Sequence, residues 1–234
     1  MDTSSVNDPE LSVVVLAYNE VDNLRPSVSE LLSVLDSLGR PFELIIVNDG
    51  STDGTSHVAD AIAIERQCVR VIHHEANRGL GGGYRTGFVA AKGIYLTFFP
   101  ADGQFPAEII PLFLPRMASR DLVLGYLPAR HDSWVAKGLS TAERALYDLL
   151  FGRLPRFQGI FMVRREMLLA LPLQSTGRGW AILMEFIIRA KRGGWRIEST
   201  PTSVRPRQNG HSKVNNVRTI VSNVMQLLTL RGRL

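Results

Sequence analysis

The 234-residue chain is long enough for one large domain with its own core, and its 45% hydrophobic and 21% charged residues are ordinary globular values. A single cysteine, Cys68, excludes an internal disulfide framework, and no apolar run approaches the length of a membrane span. From Arg189 onward eight Arg and two Lys face one acid, Glu198, a net of +9 in a chain of +5 overall, so the preceding body carries −4 and the basic end suggests an anionic partner: nucleic acid, anionic lipid or a phosphorylated substrate.

The first ten residues, MDTSSVNDPE, are polar and acidic and do not read as a secretory leader. Leu11–Ala17 is then a continuous β-branched apolar run, the pattern of a strand buried on both faces, and 43–47, 69–73 and 94–99 repeat it. Leu24, Val28, Leu31, Leu32 and Leu35 recur at helical spacing before Gly39-Arg40-Pro41 ends the helix. Val58, Ala61, Ile62 and Ile64 mark a second helix capped by Asp53 or Thr55, and 84–91 predicts a third. Strands alternating with helices predict an α/β fold with a mostly parallel central sheet and helices on both faces. Beyond about Gly125 the reading is a helix over 140–151, a strand over 160–163, a helix over 182–191, and strands over 195–200 and 203–205. Val214, Val217, Val221, Val224 and Leu228 make an amphipathic last helix, with Arg218, Ser222 and Gln226 on the other face. One domain, 1–213, with a C-terminal helix, 214–234, is expected.

Four strand exits in a row carry polar, carboxylate and glycine residues: Ala17-Tyr18-Asn19-Glu20, Asn48 to Thr55, Asn77 to Gly83, and Pro100 to Gln104. Turns and caps account for single glycines and Asn/Asp residues. They do not account for four furnished exits on one sheet edge, where parallel sheets bind ligands. The Gly79–Gly83 run is neither a Walker loop nor a dinucleotide fingerprint, though glycines ahead of a helix permit close approach of an anion, with Arg78 and Arg85 adding charge. His73 and His74, adjacent on a strand, face opposite sides and cannot share one ion.

AYNE, VNDGSTDGT, NRGLGGGYRTG and ADGQ, in this order, resemble the inverting family 2 glycosyltransferases of GT-A fold. Arg164-Arg165-Glu166, Gly179-Trp180, Met184-Glu185 and the Arg207-to-Lys213 segment (RQNGHSK) narrow the resemblance to polyprenyl-phosphate sugar synthases of the dolichol-phosphate mannose synthase type. The resemblance spans about Leu11 to Lys213. It implies that Ala17, Tyr18, Glu20 and Asp49 hold the donor nucleoside, that Arg78 and Gly79 lie near the diphosphate, and that Asp102 and Gln104 bind Mg2+ or Mn2+. It further implies that Arg207, Ser212 and Lys213 close over the phosphates of donor and acceptor, making Arg207, Lys213 and Asp102 the catalytic set. Pro100 departs from the family's Asp-x-Asp motif, and an acid is also missing near Gln158. Metal is therefore expected to bind weakly without donor, and Arg153 or Arg156 is expected to supply part of its charge.

The expected donor is GDP-mannose or a UDP-hexose and the expected acceptor a polyprenyl phosphate. That phosphate is already ionised and needs no general base, so Glu185 is read as sugar-binding or structural. A hydroxyl-directed family 2 enzyme and a non-catalytic nucleotide-sugar-binding subunit are the alternatives; nucleic acid is the least favoured partner. The expected location is the cytoplasmic face of a membrane, reached through the last helix, a membrane-anchoring partner or a homodimer.

Overall fold

A computed structural model describes residues 9–128, 148–206, 225, 226, 228 and 229. The runs buried on both faces become the centre of a seven-stranded sheet: β1 (Leu11–Ala17), β2 (Phe42–Asn48), β3 (Val69–His73) and β4 (Tyr95–Pro100). β5 (Leu122–Tyr126), β6 (Phe161–Arg164) and β7 (Ile197–Pro201) complete it in the order β3-β2-β1-β4-β6-β5-β7. β6 runs antiparallel to both β4 and β5; the other pairings are parallel. Six strands therefore present their carboxyl ends at one edge, and β6 presents its amino end there.

Alternation along the strands divides the core. Val13 and Val15 pack with Leu24, Val28, Leu35 and Ile62 on one face of the sheet. Val14 and Ile45 pack with Phe88, Phe98, Phe161 and Phe186 on the other. The first face is covered by α1 (Val21–Ser37), α2 (Thr55–Glu65) and α4 (Ile109–Phe113), the second by α3 (Gly79–Ala90) and α6 (Ala181–Arg192); α5 is the short helix Arg165–Ala170. All five apolar residues predicted for the first helix are buried.

Four expectations are corrected. Ile64, one of the four residues taken to mark the second helix, is 85% exposed, because Ala59 and Ile62 supply its buried face. The third helix begins at Gly79, itself at a left-handed φ of 74°, rather than at Tyr84; the later glycines let it lie close to the sheet, a methyl at Gly87 falling 2.5 Å from the Phe98 ring. Residues 203–205 are not a strand: Thr202 N–H donates to Tyr126 O and Arg205 N–H to Gln104 O, with no ladder between. Residues 122–126, assigned no element from sequence, form β5.

Of the helix expected over 140–151, residues 148–151 are described and helical. The last helix lies mostly outside the described residues. Among its described residues, the Gln226 amide packs on Gly177 while Met225 and Leu228 are exposed. Among the described residues no helix is long and apolar enough to cross a membrane.

The amino edge of the sheet is laced by charge. Glu43 accepts from Ser12 Oγ, Arg70 and the Lys92 amide. Asp121 takes a two-pronged bond from Arg196 at 2.7 and 2.9 Å, with Arg164 at 3.7 Å. The Arg196 guanidinium, more than burial can oppose, holds the Asp121 carboxyl below the ordinary range.

Candidate active site at the carboxyl edge

The β1 and β2 exits are tied together. Asp49 N–H donates to Ala17 O at 2.9 Å, Asn19 Oδ1 accepts from Thr52 N–H at 2.8 Å, and Asn19 N–H donates to Ser51 Oγ at 3.0 Å. Asn19 takes a left-handed φ of 53° to do so, a conformation Asn tolerates. Glu20 is buried: its amide donates to Thr55 Oγ1 and its carboxylate accepts from Asn23 Nδ2. Asp53 accepts from the Thr55 and Val21 amides and from the Thr55 hydroxyl. Burial would raise its pKa, but those donors prevail and lower it.

Asp49 occupies the start of α3. Its Oδ1 accepts from Arg78 N–H at 2.7 Å and its Oδ2 from Gly79 N–H at 2.8 Å. His74, also buried, donates through Nδ1 at 2.7 Å and is fixed behind by Thr86. Gly81 N–H goes to Arg178 O at 3.0 Å. The amides that the sequence reading offered to an incoming anion thus already hold a carboxylate and a carbonyl. Ala17, Asp49, Arg78 and Gly79 are brought together here as expected, and Asp49 also organises the group.

The glycine run answers to a neighbour that sequence reasoning missed. The loop over residues 174–179 lies on the first turn of α3, where a methyl at Gly81 would fall 2.1 Å from Gly177 O and one at Gly79 2.5 Å from Arg178 O. Arg85 does not face an anion: its guanidinium donates to the carbonyls of Ser175, Thr176 and Gly177. Glu185, fully buried, accepts from the Gln174 and Ser175 amides at 2.8 and 2.7 Å and from Arg189 at 2.8 Å. Its structural reading is the one the geometry supports. Trp180 packs with Phe151 and Ile188, and Trp195 against the core beside α6. The sequence signal for the loop was Gly79-x-Gly81, whose spacing is that of the two close contacts.

At the β4 exit Asp102 Oδ1 accepts from Gln104 N–H at 3.1 Å. Gln104 O accepts from Arg205 N–H at 2.7 Å, and the Arg205 guanidinium bridges Glu30 and Glu108. The chain entering 207–213 therefore departs from beside Asp102 and Gln104; Arg207, Ser212 and Lys213 themselves lie outside the described residues. Across the edge, Phe105 packs on Gly159, and the exposed Arg156 lies over the Tyr126 ring at 5.4 Å. Arg153 is nearby in sequence and exposed, its carbonyl held by Lys191.

Asp102 and Gln104 offer a divalent ion one carboxylate and one amide oxygen, and Pro100 has no side-chain oxygen to add. Among the described residues no three His, Cys, Asp or Glu side chains form a metal cluster. Hard cations take about six oxygens, so this set fits an ion only when a ligand's phosphates supply the remainder.

Residues 12–172 match the family model for glycosyl transferase family 2. The chain belongs to that family. As a family 2 glycosyltransferase it is 28% identical over 226 residues to a dolichol-phosphate mannosyltransferase of Mycosarcoma maydis, covering 91% of this chain and 76% of that one. A dolichol-phosphate mannosyltransferase of Pyrococcus furiosus is 26% identical over 215 residues, 88% of this chain and 59% of its relative. It is also similar to glycosyltransferase AglD of Haloferax volcanii, 28% identical over 94% of this chain but only 36% of that protein. Among solved structures, glucosyl-3-phosphoglycerate synthase of Mycobacterium tuberculosis, in complex with Mn2+, UDP and phosphoglyceric acid, superposes with a TM-score of 0.71. At 21% identity over 96% of this chain and 79% of that one, it establishes the GT-A architecture.

Proposed function

We propose that this glycosyltransferase moves a sugar, with inversion, from a nucleoside diphosphate sugar to a polyprenyl phosphate at a membrane surface. The carrying observation is Glu185. Fully buried and bonded by three donors, it is not placed to take a proton from an acceptor hydroxyl. A hydroxyl acceptor must lose a proton to a base; a lipid phosphate arrives ionised and attacks the anomeric carbon unaided. The protein's task is then to orient donor and acceptor and to neutralise the departing diphosphate. The dolichol-phosphate mannosyltransferases among its relatives support that acceptor class.

In this reading Tyr18, Glu20 and Asp49 line the nucleoside subsite, and Arg207, Ser212 and Lys213 hold the acceptor phosphate. Asp102 and Gln104 hold Mg2+ or Mn2+ together with the donor's phosphates; the ion, when bound, supplies positive charge to the leaving group. Arg156, at the same edge, supplies more. The exposed Met225 and Leu228 suit a last helix whose apolar side meets lipid at the cytoplasmic face. The test is transfer of radiolabel from GDP-mannose and from UDP-hexoses into the organic phase with a polyprenyl phosphate present. Wild type should transfer, and Arg207→Ala should bind donor normally yet transfer about a hundredfold less, the scale of losing one charge-stabilising group. Glycosylation of water-soluble alcohols alone would overturn the acceptor assignment, and full turnover in excess chelator would overturn the metal.

A further inference from the structure

We propose that Arg178 is a binding residue for the donor's diphosphate, presented from the far side of α3 by the loop over residues 174–179. This deepens the sugar-transfer reading and rests on it. Nothing in the sequence motifs points to Arg178; the argument is its placement, its charge and the construction beneath it.

The placement is over-determined. Arg178 O accepts from Gly81 N–H, and the residue lies directly on Gly79, whose amide is held by Asp49. Its Nη2 donates to Asn77 Oδ1, and Asn77 Nδ2 reaches Asp49 O at 3.3 Å. From behind, Arg85 holds three successive carbonyls of the loop while Glu185 holds two successive amides. A surface turn needs no fully buried carboxylate and no two glycines cleared of methyls in the neighbouring helix. Such a scaffold makes sense if the loop must deliver its exposed side chain to one spot, beside Arg78 and Asp49.

Charge points the same way. Arg25, Arg66, Arg70, Arg116, Arg196 and Arg205 all pair with carboxylates. Arg78 and Arg178 are exposed at the carboxyl edge, and among the described residues neither has a carboxylate partner. The Asp49 carboxylate accepts from the Arg78 and Gly79 amides and from His74 rather than from either guanidinium. A diphosphate brings the anionic oxygens that two guanidinium forks match in charge and geometry.

The experiment is calorimetric titration of the full chain with GDP, UDP and the corresponding nucleosides. Arg178→Ala should weaken the preferred nucleoside diphosphate about tenfold, as for loss of one charge-assisted contact, and leave the nucleoside unchanged. Arg178→Lys should recover part of the loss. Glu185→Gln, which slackens the loop without touching ligand, should weaken the diphosphate in the same direction. Unchanged diphosphate affinity in Arg178→Ala, or equal losses for diphosphate and nucleoside, overturns the role of Arg178 and leaves the sugar-transfer reading standing. A wild-type chain that binds neither nucleoside diphosphate overturns both.

Discussion

The two edges of the sheet treat charge differently. At the amino edge Asp121 is flanked by Arg164 and Arg196, and Glu43 gathers Ser12, Arg70 and the Lys92 amide. At the carboxyl edge Arg78 and Arg178 have no carboxylate partner among the described residues, and Arg156 rests on an aromatic ring. Arginines thus serve stability at the amino edge; at the carboxyl edge Arg205 does so through Glu30 and Glu108, while Arg78 and Arg178 are the pair proposed to meet a ligand. A cation neutralised by the fold offers little to a phosphate; one without a carboxylate partner keeps its full charge for an anion.

Asp49 is where this division is expected to break most severely, because it is a structural carboxylate at the ligand edge. Asp49→Ala orphans two amides and a buried histidine, so it should cost about 3 kcal/mol in chemical denaturation as well as abolishing measurable donor binding. A loss of binding with stability intact would show that the α3 amides find another partner. Next in size is Gly81→Ala, which presses a methyl against Gly177 O at 2.1 Å. It should cost about 2 kcal/mol, the scale of overpacking, and weaken nucleoside diphosphate binding by displacing Arg178.

The smallest effect belongs to the amino edge. Asp121→Asn should cost about 1–2 kcal/mol at neutral pH while turnover per folded molecule stays unchanged. Because the folded pKa of Asp121 is lowered, its stabilisation is complete above the unfolded value of about 4 and is lost as pH falls through the folded one. The difference between wild type and Asp121→Asn should therefore shrink on acidification, as urea titrations at several pH values would show. A difference that grows in acid would mean the pair stabilises through something other than that carboxylate's charge.

What sequence could reveal follows the range of the forces involved. β1 to β4 were legible because burial on both faces leaves a continuous apolar run, and the furnished strand exits were legible because parallel strands end together. β5 escaped because it is short and interrupted by Gly125, and Val204 was misread because alternation near an edge mimics a strand that Pro201 and Pro206 confine. The start of α3 was hidden by glycine's low helix propensity, which tertiary packing overrides at Gly83 against Leu16 and at Gly87 against Phe98. Asp49 was legible as a carboxylate at a strand exit but not as the cap of a helix thirty residues on. Arg178, Arg85 and Glu185 join elements about a hundred residues apart or sit inside the core, and no local pattern announces such a meeting.

Arg205 is moored at three points: its amide on Gln104, its guanidinium on Glu30 and Glu108. That fixes the length of leash beyond it. At about 3.4 Å per residue the backbone of Arg207 can travel no more than roughly 7 Å from the mooring, and that of Lys213 roughly 27 Å. In the proposed reaction the acceptor's headgroup would therefore be met within that radius of the end of β4.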